Sequence, residues 1–224
     1  MRSERQIMIL ILALMALGSS EAFASGGAPI RRDAGQQAAD AYNSGVRELS
    51  DAKKYDGAAA AATRDDKRVK ALGRAQKAYR QALDQFQKAV NAKADMFQAW
   101  NYIGFTQRHL GDYESALTAY ARALELNPTY EEAVEYRAEA YLGLNRIEDA
   151  KSAYMDLFGV ARPLADELLQ SMRRWMAERQ NDPRGVSGDE LAAFAQWVES
   201  RATIAQQTVS FAVGAAPRPM SDWN

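Results

Sequence analysis

The chain has 224 residues, of which 47% are hydrophobic and 25% are charged, and its formal net charge is -1. A nearly neutral chain has no overall positive potential with which to attract nucleic acid, so we expect no DNA or RNA partner. The absence of cysteine and the presence of a single histidine exclude disulfides, thiolate metal sites and sites built from two imidazoles. Alanine-rich segments with few prolines favour an all-α fold.

The N-terminus has the pattern of a secretory signal peptide. Arg2 and Arg5 precede an apolar run over residues 7–17, and an alanine-x-alanine motif ends at Ala24. The run is shorter than the roughly 20 apolar residues that cross a bilayer. We therefore predict cleavage after Ala24, which would leave a periplasmic or secreted mature chain with no integral membrane segment.

A pattern of small and large apolar residues recurs along the middle of the chain. Residues at intervals of 34 match as Ala82, Ala116 and Ala150, as Phe86, Tyr120 and Tyr154, and as Val90, Leu124 and Phe158. A fixed period of this length is typical of helix pairs that bury their apolar faces by stacking on one another. The period therefore predicts a solenoid of helix pairs.

Residues 97–130 contain the best copy of the repeat. Gly104 lies on the apolar face of a first helix, where a small residue allows another helix to approach closely. Gly111 suits a left-handed helix end, and Asp112 suits the N-cap of a second helix. Pro128 ends that second helix, because proline cannot continue it.

This stretch resembles a unit of the tetratricopeptide repeat family. The resemblance rests on Trp100, Ile103, Gly104, Ala116, Tyr120, Ala123 and Pro128. The following unit keeps Tyr141 and Tyr154 but has Val134 in place of the tryptophan and Ala138 in place of the glycine, so it is a degenerate copy. The resemblance implies a right-handed α-solenoid of about three helix pairs, closed by C-terminal capping helices.

The first unit is expected to be elongated by an insertion over residues 50–75. Phe86 lies in a clear second helix, whereas Gly45, which matches the glycine of a first helix, lies upstream of the position that the period requires. We expect a helix over residues 36–52. Thr63 and Asp66 resemble a capping box, which would start an overlong second helix near Arg64.

The protruding part of that helix is rich in cations. They include Lys67, Arg68, Lys70, Arg74 and Lys77. Such a run is typical of a solvated helix face. The alternative is a basic contact for an acidic partner or for an anionic envelope surface.

The repeats are followed by two further predicted helices. Leu168 and Met172 belong to an apolar stripe, and Ser187 with Glu190 forms a capping box. A tail with a lone Trp223 follows and could anchor a partner or a second copy. The predicted organisation is a signal peptide (1–24), a flexible leader (25–35), a repeat domain (36–162, with units of about 36–96, 97–130 and 131–162), capping helices (163–206) and a loose tail (207–224).

The resemblance implies a concave groove lined by the first helices of successive units. The groove positions are Gln98, Asn101, Tyr102, Phe105, Arg108 and His109 in the second unit and Glu132, Glu135, Tyr136 and Glu139 in the third. Aromatic rings beside amide and charged groups suit a protein or peptide partner. The alternative is that these rings cover a neighbouring helix or the chain's own leader.

Some members of the family hold a C-terminal carboxylate with basic groove residues, and this chain departs from them. Glu132 and Tyr136 stand where the third unit would supply basic groups. An acidic third unit repels a carboxylate, so we expect no such clamp. A basic or neutral segment is the better electrostatic match.

Nothing in the sequence indicates catalysis, a cofactor or a metal. The sequence has no glycine-rich phosphate loop and no nucleophile motif. His109 lies at a predicted helix C-terminus, where a partly charged imidazole would interact favourably with the helix dipole. Two functions stay open: a non-catalytic adaptor of the bacterial cell envelope that binds a protein or peptide in the groove, and a structural envelope protein that self-assembles as a homo-oligomer.

Overall fold

The helices of the chain stack as consecutive pairs. A computed structural model describes residues 33–214, where the chain forms helices and no strand. The helices are α1 (Ala34–Ala60), α2 (Asp65–Ala92), α3 (Phe97–His109), α4 (Tyr113–Leu126), α5 (Glu131–Gly143), α6 (Ile147–Val160), α7 (Arg162–Asn181) and α8 (Gly188–Gly214). The contacts join α1 to α2, α3 to α4 and α5 to α6, and each pair packs on the next. The fold is thus an all-α solenoid of helix pairs, as the sequence predicts.

Three predicted segments lie wholly or partly outside the described residues. They are the signal peptide (1–24), the leader up to residue 32 and the tail from residue 215, which includes Trp223. The last leader residues are helical, because Asp33 caps α1 by accepting a hydrogen bond from the Gln36 backbone N–H at 2.7 Å. None of the helices within residues 33–214 combines the length and hydropathy needed to cross a bilayer.

The first helices of the pairs form an inner layer. Helix α3 contacts α5, and α5 contacts α7, in addition to the contacts within each pair. The second helices α2, α4 and α6 carry the residues that recur with the period. Two of the three recurring sets are completely buried: Ala82, Ala116, Ala150, Phe86, Tyr120 and Tyr154. In the third set, Leu124 and Phe158 are only partly buried. The sequence repeat is therefore a repeat of packing contacts.

In the first two pairs, an aromatic ring of the second helix rests on a glycine of the first helix. A Cβ atom added to Gly104 would lie 2.6 Å from the Tyr120 ring, and one added to Gly45 would lie 2.7 Å from the Phe86 ring. Real Cβ atoms do not approach this closely, so only glycine fits. The contact between Gly45 and Phe86 makes α1 the first helix of the elongated pair.

Both helices of the first pair are elongated. They have 27 and 28 residues, against 13 in α3 and 14 in α4. We expected the first helix to end near residue 52, but it continues through the alanines at residues 58–60, which favour helix. At 1.5 Å per residue, the extra length of α2 is about 20 Å.

The expected capping box at Thr63 and Asp66 is absent. Helix α2 has Arg64 as its N-cap, without a side-chain cap hydrogen bond. The Asp66 carboxylate instead accepts two hydrogen bonds from the Arg64 guanidinium, each at 2.9 Å. Aspartate is one methylene shorter than the glutamate of a normal capping box, and here it pairs with a neighbouring side chain.

The overlong ends of α1 and α2 form a helical projection, defined by residues 54–60 and 65–78. The projection extends beyond α3, because Tyr79 stacks on His109, the last residue of α3, with ring centroids 4.6 Å apart. The Tyr79 hydroxyl donates a hydrogen bond to Asp56 at 2.5 Å. Buried alanines hold the two helices together: Ala59, Ala71, Ala75 and Ala78.

The C-terminal helices close the last helix pair. Leu168 and Met172 of α7 are completely buried, and Phe194 and Val198 of α8 join the same cluster. The predicted capping box is confirmed: the Ser187 N–H donates to Glu190 at 2.9 Å, and the Glu190 N–H donates to the Ser187 hydroxyl at 3.2 Å. Helix α8 continues to Gly214, past residue 206 where we expected the tail to begin.

The glycine at the helix crossing gives a stability prediction with a matched control. We expect Gly104→Ala to lower the free energy of unfolding by about 1–3 kcal/mol, because the added Cβ displaces the Tyr120 ring. Gly73→Ala in α2 meets no atom within 4 Å in the described part of the chain, so it should raise stability by up to about 1 kcal/mol. Urea unfolding measures both changes. Equal stability of Gly104→Ala and wild type would contradict the glycine contact.

Candidate functional site

The ten groove positions lie on α3 and α5 of the inner layer, and they divide by exposure. Asn101, Phe105 and Glu135 are 1%, 5% and 3% exposed. These three side chains are therefore interior and cannot contact a partner in this conformation. The other seven retain partial or full exposure. Arg108 and Glu139 pair with each other, and we call the remaining five the inner strip: Gln98, Tyr102, Glu132, Tyr136 and His109.

The aromatic side chains of the inner layer fill the spaces between successive first helices. Tyr102 stacks on Phe86 with ring centroids 5.1 Å apart and lies 5.9 Å from Tyr42 of α1. Phe105 packs edge-on against Tyr136 of α5, 5.1 Å away. These rings therefore cover neighbouring helices, which is the alternative that the sequence left open. Tyr102 and Tyr136 are packing residues that also reach the surface.

An ion pair crosses the inner layer. Arg108 of α3 contacts the Glu139 carboxylate of α5 at 2.5 Å, and both side chains are about 15% exposed. Ser171 of α7 donates a hydrogen bond to Glu139, and Arg174 lies 3.9 Å from it. Three helices, α3, α5 and α7, are thus joined at Glu139. Removing one member of a pair this buried destabilises the folded chain, because the charge of the remaining member is left without a partner.

Glu135 lies next to this pair, and its protonation changes the charge of the inner layer. Burial and the nearby Glu139 charge raise the pKa of Glu135 well above its usual range. Glu135 is therefore neutral at pH 7, and Glu139 is balanced by Arg108. The groove face of the third unit is less acidic than its sequence indicates, because among its three groove glutamates only Glu132 is neither buried nor ion-paired in the described structure.

The expected charge on His109 is not present. Its ring stacks on Tyr79 and lies 4.4 Å from the Phe105 ring. Although His109 keeps an exposed edge, the stacked aromatic rings desolvate its imidazole, and this desolvation, with the positive charges of Arg108 and Lys53, lowers the pKa of His109 well below its usual range. The expectation of a partly charged imidazole at the end of α3 was wrong, because aromatic stacking and nearby cations favour the neutral form.

Residues of α1 also contribute to this face, although the sequence analysis did not assign them to it. Tyr42 contacts Tyr102, and the Lys53 ammonium lies 5.1 Å from the Phe105 ring centroid. The signal was available in the register of Gly45, since Tyr42 precedes Gly45 by the same interval as Asn101 precedes Gly104.

The basic residues singled out in the sequence lie elsewhere. Lys67, Lys70, Arg74 and Lys77 are exposed on the projection, and Arg68 there pairs with Asp65. The structure therefore separates the chain's candidate contacts into the inner strip and the projection. Within residues 33–214, no three histidine, aspartate or glutamate side chains are placed to hold a metal ion.

The raised pKa of Glu135 predicts how stability depends on pH. The unfolded chain releases the Glu135 proton near pH 4.3, whereas the folded chain keeps it, so wild-type stability falls as pH rises from there towards the folded pKa. Glu135→Gln removes this loss. We expect the variant to exceed wild type by about 1–3 kcal/mol at pH 8 and by much less at pH 4.

Chemical denaturation at the two pH values measures the effect, with Glu132→Gln as the matched control on the same helix. Because Glu132 is more exposed, its substitution should change stability little at either pH. A Glu135→Gln difference that is identical at pH 4 and pH 8 would show that the native carboxyl is ionised.

Comparison with known proteins identifies one unit of the fold. Residues 97–130, which form α3 and α4, match the family model of the tetratricopeptide repeat. No match to a curated protein is found. The crystal structure of MamA protein matches with 17% sequence identity and a TM-score of 0.37, over 69% of this chain and 98% of that chain, a similarity too low to bear on function. The chain thus has one segment, residues 97–130, that matches the tetratricopeptide repeat, within an all-α solenoid.

Proposed function

We propose that this chain is a non-catalytic adaptor of the bacterial cell envelope that binds a protein or peptide on the inner strip. The proposal rests on one observation: the polar groups and tyrosine edges of the inner strip are accessible, and they lie on helices whose side chains are held in place by packing. The envelope assignment rests on the signal-peptide pattern of residues 1–24.

The packing of the inner layer suits binding. Tyr102 is held by Phe86 and Tyr42, and Tyr136 is held by Phe105. Side chains that are ordered before binding lose little conformational entropy when a partner arrives. Tyrosine is also enriched among residues that dominate binding energy at interfaces. The inner strip therefore has the composition of a small, preorganised contact.

Self-assembly is the second candidate function. Met155 and Val160 on α6 are 48% and 75% exposed, so this helix presents apolar surface to solvent. A second copy of the chain could cover them. A self-assembling chain would change its sedimentation coefficient with concentration, whereas an adaptor without its partner would stay monomeric.

A charge substitution on the inner strip tests the adaptor proposal without disturbing the aromatic packing. The mature chain and its Gln98→Lys/Glu132→Lys variant are immobilised, and envelope extract is passed over both. We expect a protein that is retained by the wild-type chain and lost from the variant. The matched control is Gln87→Lys/Glu178→Lys, which makes the same changes at exposed positions on α2 and α7.

The control variant should retain the captured protein as well as wild type does. Equal retention by the inner-strip variant would exclude the inner strip as the binding site. Capture of the chain by itself alone would favour self-assembly instead.

The charge of the strip also predicts which peptide ends it accepts. Glu132 on the strip is acidic and would repel a terminal carboxylate. The neighbouring Arg108 is already paired with Glu139, so it is not free to bind one. We expect a peptide from the captured protein to bind no more tightly with a free C-terminus than with an amidated one, as measured by calorimetry. Tighter binding of the free acid by tenfold would show that a carboxylate clamp exists.

A further inference from the structure

The projecting half of α2 carries an apolar stripe that no helix covers in the described part of the chain. Val69 and Leu72 are 69% and 46% exposed. They continue, at intervals of three and four residues, the stripe of α2 that packs on the next pair through Tyr79 and Phe86. Helix α3 ends beside Tyr79, so the stripe extends past the residues that would cover it.

A glycine lies within this stripe. Gly73 is in the interior of α2, where glycine costs about 1 kcal/mol relative to alanine. At two helix crossings a glycine contacts an aromatic ring, Gly45 with Phe86 and Gly104 with Tyr120, whereas an added Cβ at Gly57 or Gly159 meets no described atom within 4 Å. A Cβ added to Gly73 meets no described atom within 4 Å. Gly73 has no side chain and therefore leaves an indentation on the surface of α2, bordered by Val69, Leu72 and Gln76. We call this indentation the seat.

Positive charge flanks the seat on one side. Lys70 and Lys77 lie beside the stripe at helical spacing, and both are exposed. The two aspartates at the start of α2 are already paired, Asp66 with Arg64 and Asp65 with Arg68. The projection therefore combines an apolar seat with cations that pair with no carboxylate among residues 33–214.

We infer that the projection binds an acidic, amphipathic helical segment of a partner protein. A large apolar or aromatic side chain of that segment rests on Gly73, as Tyr120 rests on Gly104, and its carboxylates pair with Lys70 and Lys77. This contact is separate from the inner strip and does not depend on it. A membrane surface is a less suitable partner. An indentation between two aliphatic side chains can accept a side chain of a partner, but it provides little apolar surface that could insert into lipid.

The test uses a synthetic 18-residue helical peptide of glutamate, alanine and leucine with one tryptophan in its apolar seam. It is titrated into the isotope-labelled mature chain and followed by amide chemical shifts and tryptophan fluorescence. We expect shifts centred on residues 69–77. Gly73→Gln, which fills the seat, should weaken binding at least tenfold while the melting temperature is unchanged or higher. Lys70→Glu/Lys77→Glu should weaken binding to a similar extent.

The matched control is Gly159→Gln, because Gly159 is exposed on α6 and also has open space around its Cβ position. Its peptide affinity should equal that of wild type. Equal affinity of Gly73→Gln and wild type would show that no side chain of the peptide binds at Gly73. Equal binding of a peptide with lysine in place of glutamate would show that the partner need not be acidic.

Two further measurements distinguish other occupants of the projection. Binding to phosphatidylglycerol vesicles that is lost in Lys70→Glu/Lys77→Glu but kept in Gly73→Gln would assign the projection to a membrane surface. Concentration-dependent sedimentation that is lost in Gly73→Gln would assign it to a second copy of the chain. Either result would overturn the inference without affecting the inner-strip proposal.

Discussion

The contact between an aromatic ring and a glycine sets the spacing of the helices in the first two pairs of the solenoid. Tyr120 rests on Gly104 and Phe86 rests on Gly45, and each contact is too close for any larger residue. This contact fixes how near the two helices of a pair lie. Because every pair packs on the next, the same spacing also determines how the first helices meet in the inner layer.

The close approach of the first helices explains why the inner layer is so full. Phe105 and Tyr136 occupy the space between α3 and α5, and the Arg108–Glu139 ion pair spans it. At these positions, ordered side chains fill the space between α3 and α5. Binding must then use the edges of ordered side chains, which gives a rigid contact of limited area. We expect such a contact to provide selectivity more than high affinity.

The projection offers a way to increase that affinity. The elongated first pair gives the same chain a second contact surface. Its apolar and basic residues differ from the aromatic and polar residues of the inner strip. A partner that engages two sites on one body gains effective concentration, because its second contact forms within the complex. The projection needs no other helix to hold it together, because buried alanines pack α1 against α2 along its length.

The sequence by itself determined the helix pairs, the glycine contact at Gly104 and the capping box at Ser187, because each depends on residues a few positions or one period apart. It also predicted the groove positions, but it could not tell that Asn101, Phe105 and Glu135 are interior. Their burial depends on the distance between first helices of neighbouring pairs, which no local pattern encodes. For the same reason only the tertiary structure decided that the pKa of Glu135 is raised and that the pKa of His109 is lowered. The charge of a side chain depends on the groups that surround it in space, and those groups come from several helices.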